Sequence, residues 1–144
     1  MQAEVDVTTV AHVIQLAVAP VFLLTGVGAL LSVMTSRLSR IVDRFRVLER
    51  TPPKAGEEAL QRDEMLALVQ RERVIYWAIS LCTICALLVC VVIATLFIGS
   101  VMGVELSGAI ALLFIFAMFA LIAGLLSFIR EIYIATGTLH RATK

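Results

Sequence analysis

The sequence predicts an all-α integral membrane protein with three transmembrane helices and a cytosolic helical hairpin formed by extensions of helices 1 and 2. Of its 144 residues, 60% are hydrophobic and only 16% are charged, with a mean hydropathy of +0.99, a composition far more apolar than that of a soluble domain. The apolar residues form three long uncharged runs, and each run exceeds the roughly 20 residues that a helix needs to cross a bilayer.

The first uncharged run comprises the 30 residues between Asp6 and Arg37. It predicts an extracytoplasmic N-terminus at 1–9 and transmembrane helix 1 at 10–36. Pro20 lies inside this run, and because a proline removes one backbone hydrogen bond, it is expected to kink the helix.

Residues 37–73 are predicted to form the cytosolic hairpin. No Pro or Gly separates the first span from the segment that ends at Arg50, and two prolines and a glycine at 51–56 then predict a turn. Because the two arms have similar lengths and each continues into a span without a break, antiparallel pairing is favoured over two separate helices on the bilayer surface. The first arm has an apolar stripe at helical spacing: Leu38, Ile41, Val42, Phe45 and Leu48.

The remaining elements are two further spans and a tail. Transmembrane helix 2 is predicted at 74–102, an outer turn at 103–106, transmembrane helix 3 at 107–129 and a cytosolic C-terminal tail at 130–144. Nine of the twelve basic residues fall between positions 37 and 73, and the other three fall in the tail. Because cytoplasmic segments carry the excess of Lys and Arg, the N-terminus is predicted outside and the C-terminus in the cytoplasm.

Small and weakly polar residues recur on one side of helix 1, and we call them the polar face. Its members are Thr25, Gly28, Ser32, Ser36, Ser39, Arg40 and Asp43. One interpretation is the lining of a permeation path formed by several subunits, with Arg40 and Asp43 at the cytosolic mouth. The other is a close-packing seam within or between protomers. The lack of Asp, Glu, Lys or Arg inside the spans favours the seam, because ion carriers normally need such a residue.

Small residues also recur along the other two spans and predict packing seams there. Helix 2 has a ladder at four-residue intervals, formed by Cys82, Ala86, Cys90 and Ala94, and helix 3 has Ala117, Ala120, Gly124 and Ser127. Cys82 and Cys85 spell C-x-x-C, but all three cysteines lie inside an apolar run, where a thiol behaves as a small hydrophobe, so a redox or metal role is not expected.

Arginines at the cytosolic ends of the helices form a basic collar. The residues predicted to contact lipid headgroups are Arg37, Arg44, Arg71 and Arg73. Headgroup anchoring, worth about 1 kcal/mol per basic residue, is favoured over recognition of a specific anionic lipid or phosphate-bearing ligand. Local ion pairs of Asp43 with Arg40 and Arg46 are also expected from their i,i+3 spacing.

The stretch APVFLLTGVGALLSVMTSRLSRIVDRFRVLE, residues Ala19 to Glu49, resembles the start of the bacterial membrane family catalogued as domain of unknown function 2721. The matching positions are Arg37, Leu38, Arg40, Asp43, Arg44, Arg46 and Leu48. Q-R-E-R before the second span and F-I-R-E-I after the third extend the resemblance over nearly the whole chain. It implies a small three-span bacterial protein, and hence an inner-membrane location, with no assigned activity.

No enzyme signature is present, so no catalytic residue, metal or cofactor is expected. The leading hypothesis is a small homo-oligomeric inner-membrane ion channel or pore whose path is lined by transmembrane helix 1. The alternative is a non-conducting membrane scaffold or accessory subunit acting through its basic cytosolic hairpin. The expected partners are the lipid bilayer, further copies of the chain, and an unidentified cytosolic or membrane protein, whereas nucleic acid is not expected.

Overall fold

The described residues of this computed structural model form three long helices. They are α1 (Gln2–Arg50), α2 (Glu58–Met102) and α3 (Ser107–Arg141). With 49, 45 and 35 residues, they are about 74, 68 and 53 Å long at 1.5 Å per residue. Each contains a segment long and apolar enough to cross a membrane. The predicted all-helical fold with three long apolar helices is therefore confirmed.

The structure describes residues 2–53 and 56–141, and the side chains of residues 10–53 and 56–133. No strand occurs in these ranges. Parts of three predicted segments lie outside the described residues: position 1 of the N-terminus, positions 54–55 of the hairpin turn and positions 142–144 of the tail.

α1 is a continuous α-helix through Pro20, and the bend expected at this residue stays a prediction. Pro20 is buried, on the side of α1 that also buries Val13 and Ala17. Neighbouring helices can accommodate a proline in this way because packing compensates for the hydrogen bond that it removes.

Two short connections reverse the chain between the helices. In the first, the side-chain nitrogen of Gln61 donates hydrogen bonds to the carbonyl oxygens of Leu48 at 2.7 Å and Thr51 at 2.9 Å. These bonds satisfy carbonyls at the end of α1 that have no helical partner. In the second, Gly103 ends α2 in the left-handed conformation, with φ 64°, and its N–H donates to the carbonyl of Gly99. Glycine suits this position because it has no Cβ atom that would make the left-handed conformation unfavourable.

α2 is the central helix and packs along both α1 and α3. Its buried residues recur at alternating intervals of three and four: Ile75, Ala78, Cys82, Cys85, Val89 and Val92. This spacing is the heptad pattern of left-handed helix packing. A strict four-residue ladder instead turns by about 40° per step, which explains why Cys90 and Ala94 are exposed and lie outside these contacts.

The predicted seam of α3 packs against α2 within the chain. Ala117 is fully buried, and a Cβ added to Gly124 would lie 2.9 Å from Cys82 Sγ and 3.3 Å from the carbonyl oxygen of Ala78. Glycine at this position therefore permits the close approach of the two helices that small residues provide in membrane proteins.

The segments 37–50 of α1 and 58–73 of α2, which we call the hairpin arms, contact each other through the predicted apolar stripe. Ile41 is buried together with Leu68 and Ile75. The stripe residues that pack around this cluster are Leu38, Phe45 and Leu48. The arms are thus held together by apolar contacts at helical spacing, while their position in the cytosol stays a prediction.

Candidate functional site

A buried carboxylate joins all three helices beside the hairpin arms. Glu131 of α3 is 1% exposed. Its Oε2 accepts a hydrogen bond from Arg37 Nη1 of α1 at 3.1 Å, and its Oε1 accepts one from Arg71 Nη2 of α2 at 3.0 Å. A carboxylate removed from water is tolerated only when it is paired and hydrogen-bonded. The two arginines meet that requirement, one from each of the other helices.

Arg37 also contacts a ring of α3. Its guanidinium carbon lies 5.3 Å from the ring centroid of Phe128, within the range of a cation–π contact. Phe128 precedes Glu131 by three residues, so the two side chains lie on the same side of α3. The same guanidinium therefore binds α3 through a carboxylate and through an aromatic face.

The ion pairs border an open cleft of about 300 Å³, which we call the arginine cleft. It is lined by Arg37, Arg40, Ile41, Arg44, Leu68, Arg71 and Glu131. Four arginines against one glutamate give this lining a formal charge of +3. Counting Glu64, which binds Arg44, lowers the charge to +2. The cleft is therefore basic by either count.

Several donors of the arginine cleft are not used within the described part of the chain. The Nε of Arg71 is buried without a hydrogen-bond partner there, and Arg40 forms no ion pair with a described residue. Arg44, in contrast, donates from Nε and Nη2 to Oε1 of Glu64 at 2.9 and 2.8 Å. Since a guanidinium has five N–H donors, the cleft has more donors than its own acceptors satisfy.

The four arginines predicted to contact lipid headgroups do not all line one cleft, and their contact with lipid stays a prediction. Arg37, Arg44 and Arg71 line the arginine cleft, whereas Arg73 lies apart from it, beside Glu72 and Tyr76. Arg40, which the sequence suggested for the polar face, is the fourth arginine of the cleft.

The expected local ion pairs of Asp43 are not formed. Among the described residues, the ion pairs are Arg37–Glu131, Arg44–Glu64 and Arg71–Glu131, and each joins different helices. Sequence reasoning missed Glu131 as the common partner of Arg37 and Arg71. The available signal was an acidic residue two positions after the end of the third uncharged run, where the positive-inside pattern leads one to look for cations only.

The polar face of α1 is not covered by the chain's own helices. All seven of its residues are exposed. The residues of α1 that are buried are Val13, Ala17, Pro20, Val27, Met34 and Ile41, and at 100° per residue they lie roughly opposite the polar face. A seam within the protomer is thereby excluded. A seam between protomers and a permeation path remain as interpretations of the polar face.

Hydroxyl groups on the polar face differ in their hydrogen bonds. Thr25 Oγ1 donates to the carbonyl oxygen of Val21 at 3.3 Å, and Ser39 Oγ donates to that of Ser36 at 3.2 Å. Within the described part of the chain, the hydroxyls of Ser32 and Ser36 form no side-chain hydrogen bond. These two hydroxyl groups are therefore the members of the polar face whose donors are unused within the described part of the chain.

No metal-binding group was found among the described residues, where no cluster of three or more His, Cys, Asp or Glu side chains could hold an ion. The four arginines that line the arginine cleft offer guanidinium donors of the kind that bind anions.

A family model described as "Protein of unknown function (DUF2721)" matches residues 17–141. The chain belongs to this family. The match spans the arginine cleft and the polar face, and it confirms the resemblance inferred from the arginine-rich stretch. No curated protein and no solved structure matches the chain.

Proposed function

We propose that this DUF2721 member is a homo-oligomeric inner-membrane protein in which the polar faces of several α1 helices surround a path for ions. The supporting observation is that all seven polar-face residues are exposed in the protomer. In the proposed orientation the N-terminus lies outside, the arginine cleft lies at the cytoplasmic surface and the hairpin arms extend into the cytoplasm.

The path has to lie between copies of the chain. Within one protomer the contacts among the helices are filled by fully buried side chains, including Met34, Ile75 and Cys82. Three helices packed in this way leave no lumen, so a pore requires several subunits around an axis. Association through Gly28 and Ser32 suits this geometry, because small residues let membrane helices approach closely.

The proposed path is weakly polar inside the membrane and charged at one end. Ser32 and Ser36 present hydroxyl oxygens along it, and Arg40 and Asp43 follow beyond the span. Rings of opposite charge at a mouth act on permeating ions through their electrostatic potential. Alanine at Arg40 or Asp43 is therefore expected to shift the reversal potential.

Ion flux into liposomes tests the proposal. Purified wild-type protein and the Ser36→Leu variant are compared under a cation gradient and then under an anion gradient. The control is Thr35→Leu, which also replaces an exposed hydroxyl but points about 100° away around the helix. Flux that is lost in Ser36→Leu and retained in Thr35→Leu would support a path along the polar face.

Absence of flux from folded, oligomeric wild-type protein would contradict conduction. Equal loss in the two variants would instead remove the polar face from the path. Oligomeric mass is measured for each sample, so that a blocked path is distinguished from a failure to assemble.

A non-conducting scaffold or accessory subunit is the second candidate, and the hairpin arms support it. Leu60 and Leu66 of α2 are 72% and 62% exposed, although they lie outside the uncharged runs. Leu66 also lines an open cleft of about 520 Å³, together with Phe45, Pro53, Glu58, Gln61, Arg62, Met65 and Val69. Exposed apolar side chains with a polar rim are typical of protein interaction sites. A folded oligomer without flux would favour this function.

A further inference from the structure

We infer that the arginine cleft binds the phosphate group of an anionic ligand. Every residue that lines the cleft belongs to one chain, so the inference does not depend on oligomerisation or on conduction. It also goes beyond unspecific anchoring at headgroups, because it assigns binding to a defined set of donors on α1 and α2.

The balance of donors and acceptors is the first argument. Glu131 uses one carboxylate oxygen for Arg37 and the other for Arg71. Arg71 Nε nevertheless stays buried without a partner in the described structure, and Arg40 has no ion pair there. An anion with several acceptor oxygens would pair with Arg40 and reduce the positive charge of the cleft.

The second argument is positioning. Glu131 accepts a hydrogen bond from one N–H group of each of two arginines and so holds both guanidinium groups at the edge of the cleft that they line. Planar forks held in place favour phosphate, because two parallel N–H donors match two of its oxygens. Glu131 therefore acts as a positioning residue. Because both of its oxygens are already paired with arginines, it repels an approaching anion less than an unpaired carboxylate would.

The third argument is location. Arg37 follows the first uncharged run directly, and Glu131 lies two residues after the end of the third. If those runs span a bilayer, the cleft lies at the depth of the lipid phosphates, and basic pockets between helices at this depth bind anionic headgroups. Ile41 and Leu68 supply an apolar wall. The same phosphate chemistry could be presented by a phospholipid or by a soluble phosphate.

The test uses the full chain in a phosphate-free detergent with two probes. Phosphatidylglycerol is titrated against phosphatidylcholine and the bound lipid is counted by native mass spectrometry. Inorganic phosphate is titrated by calorimetry against chloride at equal ionic strength. The variant is Arg40→Gln, which leaves both ion pairs of Glu131 intact. The control is Arg46→Gln, which removes the same charge from the same helix at an exposed position outside the cleft.

We expect saturable binding to the wild-type protein. The affinity should fall about tenfold or more in Arg40→Gln, which is the usual effect of losing a hydrogen bond to a charged group. In Arg46→Gln it should change by less than about twofold. Saturation by phosphatidylglycerol alone would identify a lipid, and saturation by inorganic phosphate would identify a soluble ligand. Arg71→Lys keeps the charge but removes the planar guanidinium and its Nη2 bond to Glu131, and it is expected to weaken binding of the same probe.

Wild-type protein that saturates with neither probe would overturn the inference. Equal weakening in Arg40→Gln and Arg46→Gln would also overturn it, because binding would then follow net charge and not the cleft. Thermal midpoints measured for each variant verify that the compared proteins are folded.

Discussion

The two sides of α1 differ in side-chain size and polarity, and the larger apolar side is the one that the chain covers. Val27 and Met34 are buried against the other helices, whereas Gly28 and Ser32 on the polar face are exposed. An apolar side chain gains little free energy by moving from lipid into a protein interior, because lipid tails are equally apolar. Tight packing between helices therefore decides which side of α1 is buried. The comparison teaches that small polar residues left outside the protomer indicate either assembly or contact with water.

Leucine at Gly28 tests the comparison most directly. A Cβ at Gly28 meets no atom within 4 Å in the protomer, so Gly28→Leu should leave the protomer folded while it blocks close contact between copies. We expect the oligomer to dissociate, as measured by native mass spectrometry. Gly26→Leu is the matched control, because a Cβ there also meets nothing within 4 Å and points about 160° away.

An unchanged oligomer in Gly28→Leu would remove the polar face from the interface between subunits. Dissociation in both variants would show that the side of α1 does not matter. Either outcome would break the comparison between the covered and the uncovered side.

Replacement of Glu131 by glutamine should have the largest effect on the stability of the protomer. Arg37 and Arg71 would lose their shared charged partner, and removing one member of a buried ion pair costs about 3 kcal/mol. The measurement is the free energy of unfolding in detergent mixed with denaturant. Glu105→Gln, at an exposed position in the connection between α2 and α3, should change it by less than about 0.5 kcal/mol. Equal values for the two variants would contradict a structural role for Glu131.

Truncation of Met34 should have a smaller but clear effect. Met34 is fully buried, so Met34→Ala leaves a cavity and loses packing contacts, and we expect unfolding to become easier by about 2 kcal/mol, the low end for such truncations. Val33→Ala should change the free energy of unfolding by less than about 0.5 kcal/mol, because Val33 is 53% exposed. Similar changes in the free energy of unfolding for Met34→Ala and Val33→Ala would mean that the buried side of α1 does not stabilise the protomer more than the exposed side.

The ion pair between the hairpin arms should contribute least. The side chains of Arg44 and Glu64 are 55% and 41% exposed, and exposed pairs stabilise proteins by about 0.2 to 1 kcal/mol. We expect a double-mutant cycle of Arg44→Gln and Glu64→Gln to give a coupling energy in this range that decreases with added salt. A coupling as large as the effect of Glu131→Gln would show that this pair is shielded from water.

The sequence was sufficient to predict the helices and the apolar contact between the hairpin arms. The uncharged runs predict three long apolar helices, and the stripe around Ile41 predicts the contact between the hairpin arms. The four-residue ladder of α2 was less informative, since packing follows the heptad spacing that buries Cys85 and leaves Cys90 exposed. Local spacing alone also predicted ion pairs of Asp43 with Arg40 and Arg46 that are not formed, whereas the ion pairs of the described residues join different helices.

What the sequence by itself determined is therefore the family, the helices and the residues that share a face, because these follow from charge, hydropathy and a fixed helical period. Only the tertiary structure decided which faces meet. It showed that the polar face of α1 is uncovered and that Glu131 gathers Arg37 and Arg71 from different helices. Contacts between residues 60 or 94 positions apart depend on how the helices pack, and no periodicity within one helix encodes that choice.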